Sequence, residues 1–170
     1  GADYAESQAG KQARLRGCEP AAVPKSRMTH PGRVGIVPRM QYRRLPETDL
    51  NVAPLCLGTV AFGSGQSRDE SFALMDAYRE SGGNFLDTAK IYADWTGAER
   101  SASEKTIGGW LRERRCRDEM IVGTKGAHPE MGEGAEPGPR LGRHQIIKDC
   151  EASLQHLGVE RIDLYWLHRD

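Results

Sequence analysis

Three residues able to hold or move a proton stand at matching places in this chain. Asp87 closes the short run NFLD, Lys125 closes MIVGTK, and His168 follows IDLYWL. A carboxylate, an ammonium and an imidazole brought together can pair charges, relay a proton and polarise a bound group. Taken singly, each has an ordinary structural reading. Asp87 can cap a loop or pair with an arginine, Lys125 can emerge into solvent, and His168 can be a satisfied polar residue. Their shared position at the ends of apolar runs is what sets them apart, so the elements carrying them decide whether they meet.

From Met40 onward those elements alternate. The extended runs Gln41 to Leu45 and Leu50 to Ala53 flank the turn-prone stretch Pro46 to Asp49 and predict a β-hairpin. Leu55 to Thr59 is a buried strand followed by a glycine-rich loop. Ser67 with Glu70 forms a capping box, and Phe72, Leu74, Met75, Ala77 and Tyr78 give the helix after it an apolar face until Gly82 and Gly83 end it. The unit repeats. Asn84 to Ala89 is a strand, and Ser101 with Glu104 is read as a second capping box before Ile107, Trp110 and Leu111. Met120 to Lys125 is the third strand, followed by a long loop rich in Gly, Pro and Glu. A helix from about Arg143 is expected to bury Ile146, Ile147, Cys150, Leu154 and Leu157 and to stop at Gly158. Ile162 to His168 is the fourth strand.

Strands alternating with amphipathic helices imply parallel pairing through crossovers, hence an α/β class. Periodicity does not separate a barrel from a doubly wound sheet, but the loops do bear on it. Gly63 and Gly65 do not complete G-x-G-x-x-G, because Arg68 stands at the closing position, and no P-loop is present. In a (β/α)8 barrel the C-terminal strand ends are where active sites are assembled, and that is where Asp87, Lys125 and His168 fall.

Composition narrows the partner. Twenty-four basic residues balance 24 acidic ones, so the overall charge suggests neither nucleic acid nor an anionic membrane surface, and a small molecule is expected. Cys18, Cys56, Cys116 and Cys150 show no C-x-x-C pair or zinc-finger spacing and read as reduced intracellular thiols, with no metal expected. No stretch approaches the roughly 20 apolar residues needed to span a bilayer, and a cytoplasmic location is expected. Residues 1 to 39 carry seven Lys and Arg against Asp3, Glu6 and Glu19 and lack apolar periodicity. They read as a disordered basic leader or upstream read-through, with one domain over residues 40 to 170.

The segments NFLDTAKIYADW, IVGTK, SEKTIGGWL and IDLYWLHRD together resemble the aldo-keto reductase family, and the opening QYRRLPETDLNVAPLCLGT resembles that family's N-terminal hairpin and first strand. The resemblance covers residues 40 to 170 in order. It implies the N-terminal half of a (β/α)8 TIM barrel, here four strands and three helices, with Asp87, Tyr92, Lys125 and His168 matching the family's catalytic tetrad. One departure lies in the hairpin, where Pro46-Glu47-Thr48-Asp49 replaces the usual glycine-containing turn. The resemblance further implies reduction of aldehydes or ketones with NADPH, and places Gly58, Thr59, Val60 and Asp87 beside the nicotinamide and its ribose. Trp95, just after Tyr92, either lines the substrate pocket or packs its own loop. A non-catalytic cofactor-binding or regulatory subunit on the same fold is the alternative. His30, His128, His144 and His156 are assigned no role.

This chemistry suits the residue types. Delivering hydride to a carbonyl carbon requires a proton for its oxygen, and Tyr92 is the expected acid. A free phenol holds its proton up to a pKa of about 10, and a neighbouring ammonium favours the phenolate left behind. Lys125 supplies that charge, Asp87 serves as its counterion, and His168 orients the carbonyl. Four strands do not close a barrel, so the 170-residue chain is expected to be inactive alone and prone to associate.

Overall fold

The computed structural model describes residues 40–129 and 140–169. The basic leader and most of the loop expected before the last helix lie outside the described residues. The hairpin forms as expected, with β1 (Arg43–Arg44) antiparallel to β2 (Asn51–Val52). Its turn places Glu47 at a left-handed φ of 58°, a conformation that glycine adopts without the Cβ penalty. That strained residue stands in the stretch noted above for lacking a glycine.

A second sheet carries the rest, with strands β3 (Leu57–Gly58), β4 (Phe85–Asp87), β5 (Ile121–Gly126) and β6 (Leu164–Leu167) in sequential order and all parallel. The crossovers are helices α1 (Arg68–Glu80), α2 (Ala102–Arg114) and α3 (Arg143–Leu157). Every expected strand is present, with β5 running one residue past Lys125 and the others shorter than expected. The run Leu55 to Thr59 is not the buried strand expected, since Leu55, Cys56 and Gly58 are exposed and Thr59 alone is fully buried. Register follows the alternation of the pleat. Leu86 and Val122 face the helices and are fully buried, whereas Asp87 and Lys125 belong to the opposite set.

The core lies between this sheet and the helices, around Phe72, Met75, Leu86, Ile107, Trp110, Val122 and Leu157. Each such large side chain contributes about 1.5–3 kcal/mol by leaving water. Gly108 lets α2 lie against the C-terminal end of α3, since a Cβ there would collide with the Leu157 carbonyl. Cys56, Cys116 and Cys150 are free thiols.

The first capping box is present as expected. Ser67 N–H donates to Glu70 Oε2 at 2.9 Å, and Ser67 Oγ accepts from Glu70 N–H at 3.3 Å. The second is not. Ser101 has φ 56°, and its hydroxyl donates to the Lys90 carbonyl at 2.8 Å instead of capping α2. Glu104 is completely buried, accepting from Thr124 Oγ1 at 2.6 Å and lying 2.9 Å from His156 Nδ1. Buried hydrogen-bonding partners outcompete the local cap, because a buried carboxylate needs them far more than an exposed one.

The α3 face also differs from expectation. Asp149, Ser153 and Leu157 are its buried residues, while Ile147 is exposed and Ile146, Cys150 and Leu154 are only partly covered. Asp149 is drawn inward by three donors. Lys90 Nζ reaches Oδ1 at 2.6 Å, Arg140 Nη2 reaches the same oxygen at 3.1 Å, and Ala127 N–H reaches Oδ2 at 3.1 Å. The rotation of the helix follows from that ion cluster.

Candidate active site

Parallel pairing brings the ends of β4, β5 and β6 together. Thr88 N–H donates to the Gly123 carbonyl at 2.9 Å, Lys90 N–H to the Lys125 carbonyl at 3.1 Å, and His168 N–H to the Gly126 carbonyl at 2.8 Å. These bonds continue the ladder past the strand ends and fix the loop that carries Tyr92. Tyr92 N–H in turn donates to the Ala89 carbonyl at 3.1 Å, a tight turn that aims the phenol back over the sheet.

Lys125 is the hub. Its Nζ donates to Asp87 Oδ2 at 2.7 Å, to the Thr88 carbonyl at 2.8 Å and to Tyr92 Oη at 2.9 Å. An ammonium has three hydrogens and no acceptor, so all its donors are used and the phenol oxygen accepts. The Tyr92 hydroxyl hydrogen is therefore left to point elsewhere. The same ammonium lies 4.7 Å from the centroid of the Tyr92 ring, within cation–π range.

His168 packs edge-on to Tyr92, with ring centroids 5.9 Å apart and planes at 84°. Burial holds its pKa below the usual imidazole value. His128, Lys125 and Arg169 push in the same direction, and Asp87 opposes them. These influences favour the neutral imidazole, which can donate to an oxygen without carrying a charge. Its Nδ1 is buried and has no partner among the described residues.

The other expected site residues divide. Gly58 is exposed, with open space where a side chain would stand, and Val60 is half-exposed. Thr59 between them is completely buried. Its hydroxyl lies 2.9 Å from the Asp87 carbonyl, to which it can donate, and 2.8 Å from Ser103 Oγ, so its side chain locks β3, β4 and α2 together. Trp95 sits in a short 3₁₀ turn (Asp94–Thr96), half-exposed, its ring 6.4 Å from that of Tyr92 and nearly perpendicular to it. Sequence reasoning missed His128. Its ring lies 4.9 Å from that of His168, and no local pattern signals a partner so far along the chain.

With the sheet and these contacts in view, comparison with known proteins settles the family. The aldo/keto reductase family model matches residues 54–170, and the chain belongs to that family, whose fold is the TIM barrel. Norsolorinic acid reductase stcV of Emericella nidulans is 36% identical over 134 residues, covering 72% of this chain and 33% of the relative. Protein tas of Escherichia coli is 32% identical over 132 residues, covering 76% and 38% respectively. Among solved structures, the holo form of an aldo-keto reductase from Bacillus halodurans superposes with a TM-score of 0.62 at 30% identity, over 75% of this chain and 40% of that one. The chain spans about a third of the length of the curated relatives it matches.

Proposed function

We propose that the full-length protein uses NADPH to reduce an aldehyde or ketone to the alcohol, with Asp87, Tyr92, Lys125 and His168 as the groups that act on the carbonyl. The observation carrying this reading is the three-way hydrogen bonding of Lys125. It leaves the Tyr92 hydroxyl as a free donor backed by a positive charge. As the carbonyl oxygen takes the phenolic proton, the phenolate that forms is stabilised by the ammonium 2.9 Å away, and Asp87 holds that ammonium in place. His168 donates to the same oxygen and holds the carbonyl in line.

The hydride has to come from a bound nicotinamide cofactor, since no side chain can donate one. Gly58 and Val60 fit such a group, because the backbone at Gly58 is open and no side chain covers it, while Asp87 lies on the adjoining strand. Thr59 contributes by fixing the end of β3 against Asp87. The holo-form relative supports a cofactor-dependent reading, and NADPH is the form we propose. Trp95 beside Tyr92 is proposed to line the substrate pocket. Free Cys56, Cys116 and Cys150 are in keeping with a cytoplasmic setting. By itself the 170-residue chain is proposed to be inactive, since the four described strands do not close a barrel.

The test is to follow NADPH absorbance with the full-length protein and a panel of aldehydes and ketones, with NADPH binding measured by fluorescence alongside. Binding together with carbonyl-dependent oxidation is expected. Binding without turnover on any carbonyl would favour a cofactor-binding subunit, and absence of binding would contradict the reading outright.

A further inference from the structure

The end of β5 does more than present Lys125. Two residues on, Ala127 takes a left-handed φ of 64°, a conformation unfavourable for a residue with a Cβ. The turn is held from below, where Ala127 N–H donates to Asp149 Oδ2 at 3.1 Å. Asp149 is in turn clamped by Lys90 and Arg140. A strained residue maintained by a buried ion cluster points to a conformation that serves the residue after it.

That residue is His128. Its Nδ1 lies 2.7 Å from the Pro129 carbonyl, an acceptor only, so Nδ1 carries the hydrogen and the ring orientation is fixed. The ring meets His168 at 4.9 Å between centroids and 72° between planes, on a site where Tyr92 makes the other edge contact at 5.9 Å. His168 is therefore packed by two aromatic rings from two different loops.

We propose that His128 is a positioning residue of the active site, carried by the left-handed turn at Ala127 and anchored to the Pro129 carbonyl so that it packs the His168 ring against Tyr92. This rests on the reductase reading for the role of His168, but the packing itself does not. Among the described residues His128 makes no hydrogen bond to Tyr92 or Lys125, so it acts through His168. Two consequences follow. His168 keeps one ring orientation toward the carbonyl oxygen, and it stays shielded from water.

The groups that bear on His168 electrostatically are Asp87 from β4, Lys125 from β5, His128 from the loop after it and Arg169 beside it. Burial is the largest influence and lowers its pKa, and His128 adds to the lowering. Replacing His128 by alanine removes its own contribution and the part of the burial that its ring supplies. Phenylalanine keeps the ring and the burial.

The experiment uses the full-length protein labelled at its histidine rings, with NMR titration of His168 identified by the signal lost in His168→Gln. In His128→Ala the His168 titration midpoint is expected to move up, and kcat/KM to fall by about tenfold through kcat, as expected for a misplaced orienting group. In His128→Phe the midpoint is expected to stay low and most of kcat to return. A His168 midpoint unmoved in the alanine variant, or phenylalanine no better than alanine, overturns the proposal. Tyr92→Phe in the same series separates the two ideas. If it retains full turnover the reductase assignment fails, whereas the titration of His168 still decides whether His128 packs it.

Discussion

Tyr92 Oη accepts a hydrogen bond from Lys125 Nζ at 2.9 Å while Lys125 simultaneously donates to Asp87 and to the Thr88 carbonyl. The pair couples a potential acid to a charge held in place from two strands. If that coupling serves proton transfer, Lys125→Met should lower turnover by roughly 100-fold. It should also change the shape of the pH-rate profile, because the phenolate formed on proton transfer loses its ammonium. A profile identical to the wild type in shape and position would show that Lys125 does not act through Tyr92.

Asp149 lies at the junction of three segments, and its variants test the clamp beneath the site. Burial alone would raise its pKa, but hydrogen bonds from Lys90, Arg140 and the Ala127 N–H outweigh it, and the net shift is downward. A depressed folded-state pKa contributes stability that is present above the unfolded carboxylate value and is lost as pH falls through the folded one. Asp149→Asn should therefore cost about 3 kcal/mol at pH 7, since it leaves Lys90 and Arg140 facing a neutral amide in a buried setting. The difference from wild type should shrink as pH drops below about 4. Urea unfolding at several pH values measures both, and a difference that is constant down to pH 3 would contradict the charge account.

Gly108 makes a purely steric prediction. A methyl group there meets the Leu157 carbonyl, a backbone atom that cannot swing aside, so Gly108→Ala should destabilise by roughly 1–3 kcal/mol despite the better helix propensity of alanine. Gly109 is the control. An added Cβ would lie 3.6 Å from Phe72 Cζ, an ordinary contact, and Gly109→Ala should be neutral or stabilising. Thermal melts of the two variants settle the comparison, and equal behaviour would mean that α2 and α3 are not packed as described.

How much of this was legible beforehand depends on the range of the interactions. The capping box at Ser67 and Glu70 was readable because both partners lie within one helical turn and nothing competes for them. The same spacing at Ser101 and Glu104 misled, since the partners of Glu104 are Thr124 and His156, 20 and 52 residues away. Apolar periodicity likewise pointed α3 at Ile146, Ile147 and Leu154, and a buried carboxylate turned the helix toward Asp149. The parallel pairing and the gathering of Asp87, Lys125 and His168 were legible because polar residues at strand ends mark the C-terminal face of a parallel sheet, whereas Tyr92, on the loop after β4, was legible only through the family resemblance. His128 was not, because nothing local distinguishes a histidine before a proline until the turn at Ala127 folds it onto His168.

The most direct test of the central claim is single-turnover oxidation of bound NADPH by an aldehyde, compared between the full-length protein and its Tyr92→Phe variant. Phenylalanine preserves the ring that packs on His168 and Trp95 and removes only the hydroxyl. The account predicts a rate lowered by roughly 100-fold or more with NADPH affinity nearly unchanged. A rate within about twofold of wild type would mean that the proton comes from another group and that Tyr92 is not the acid.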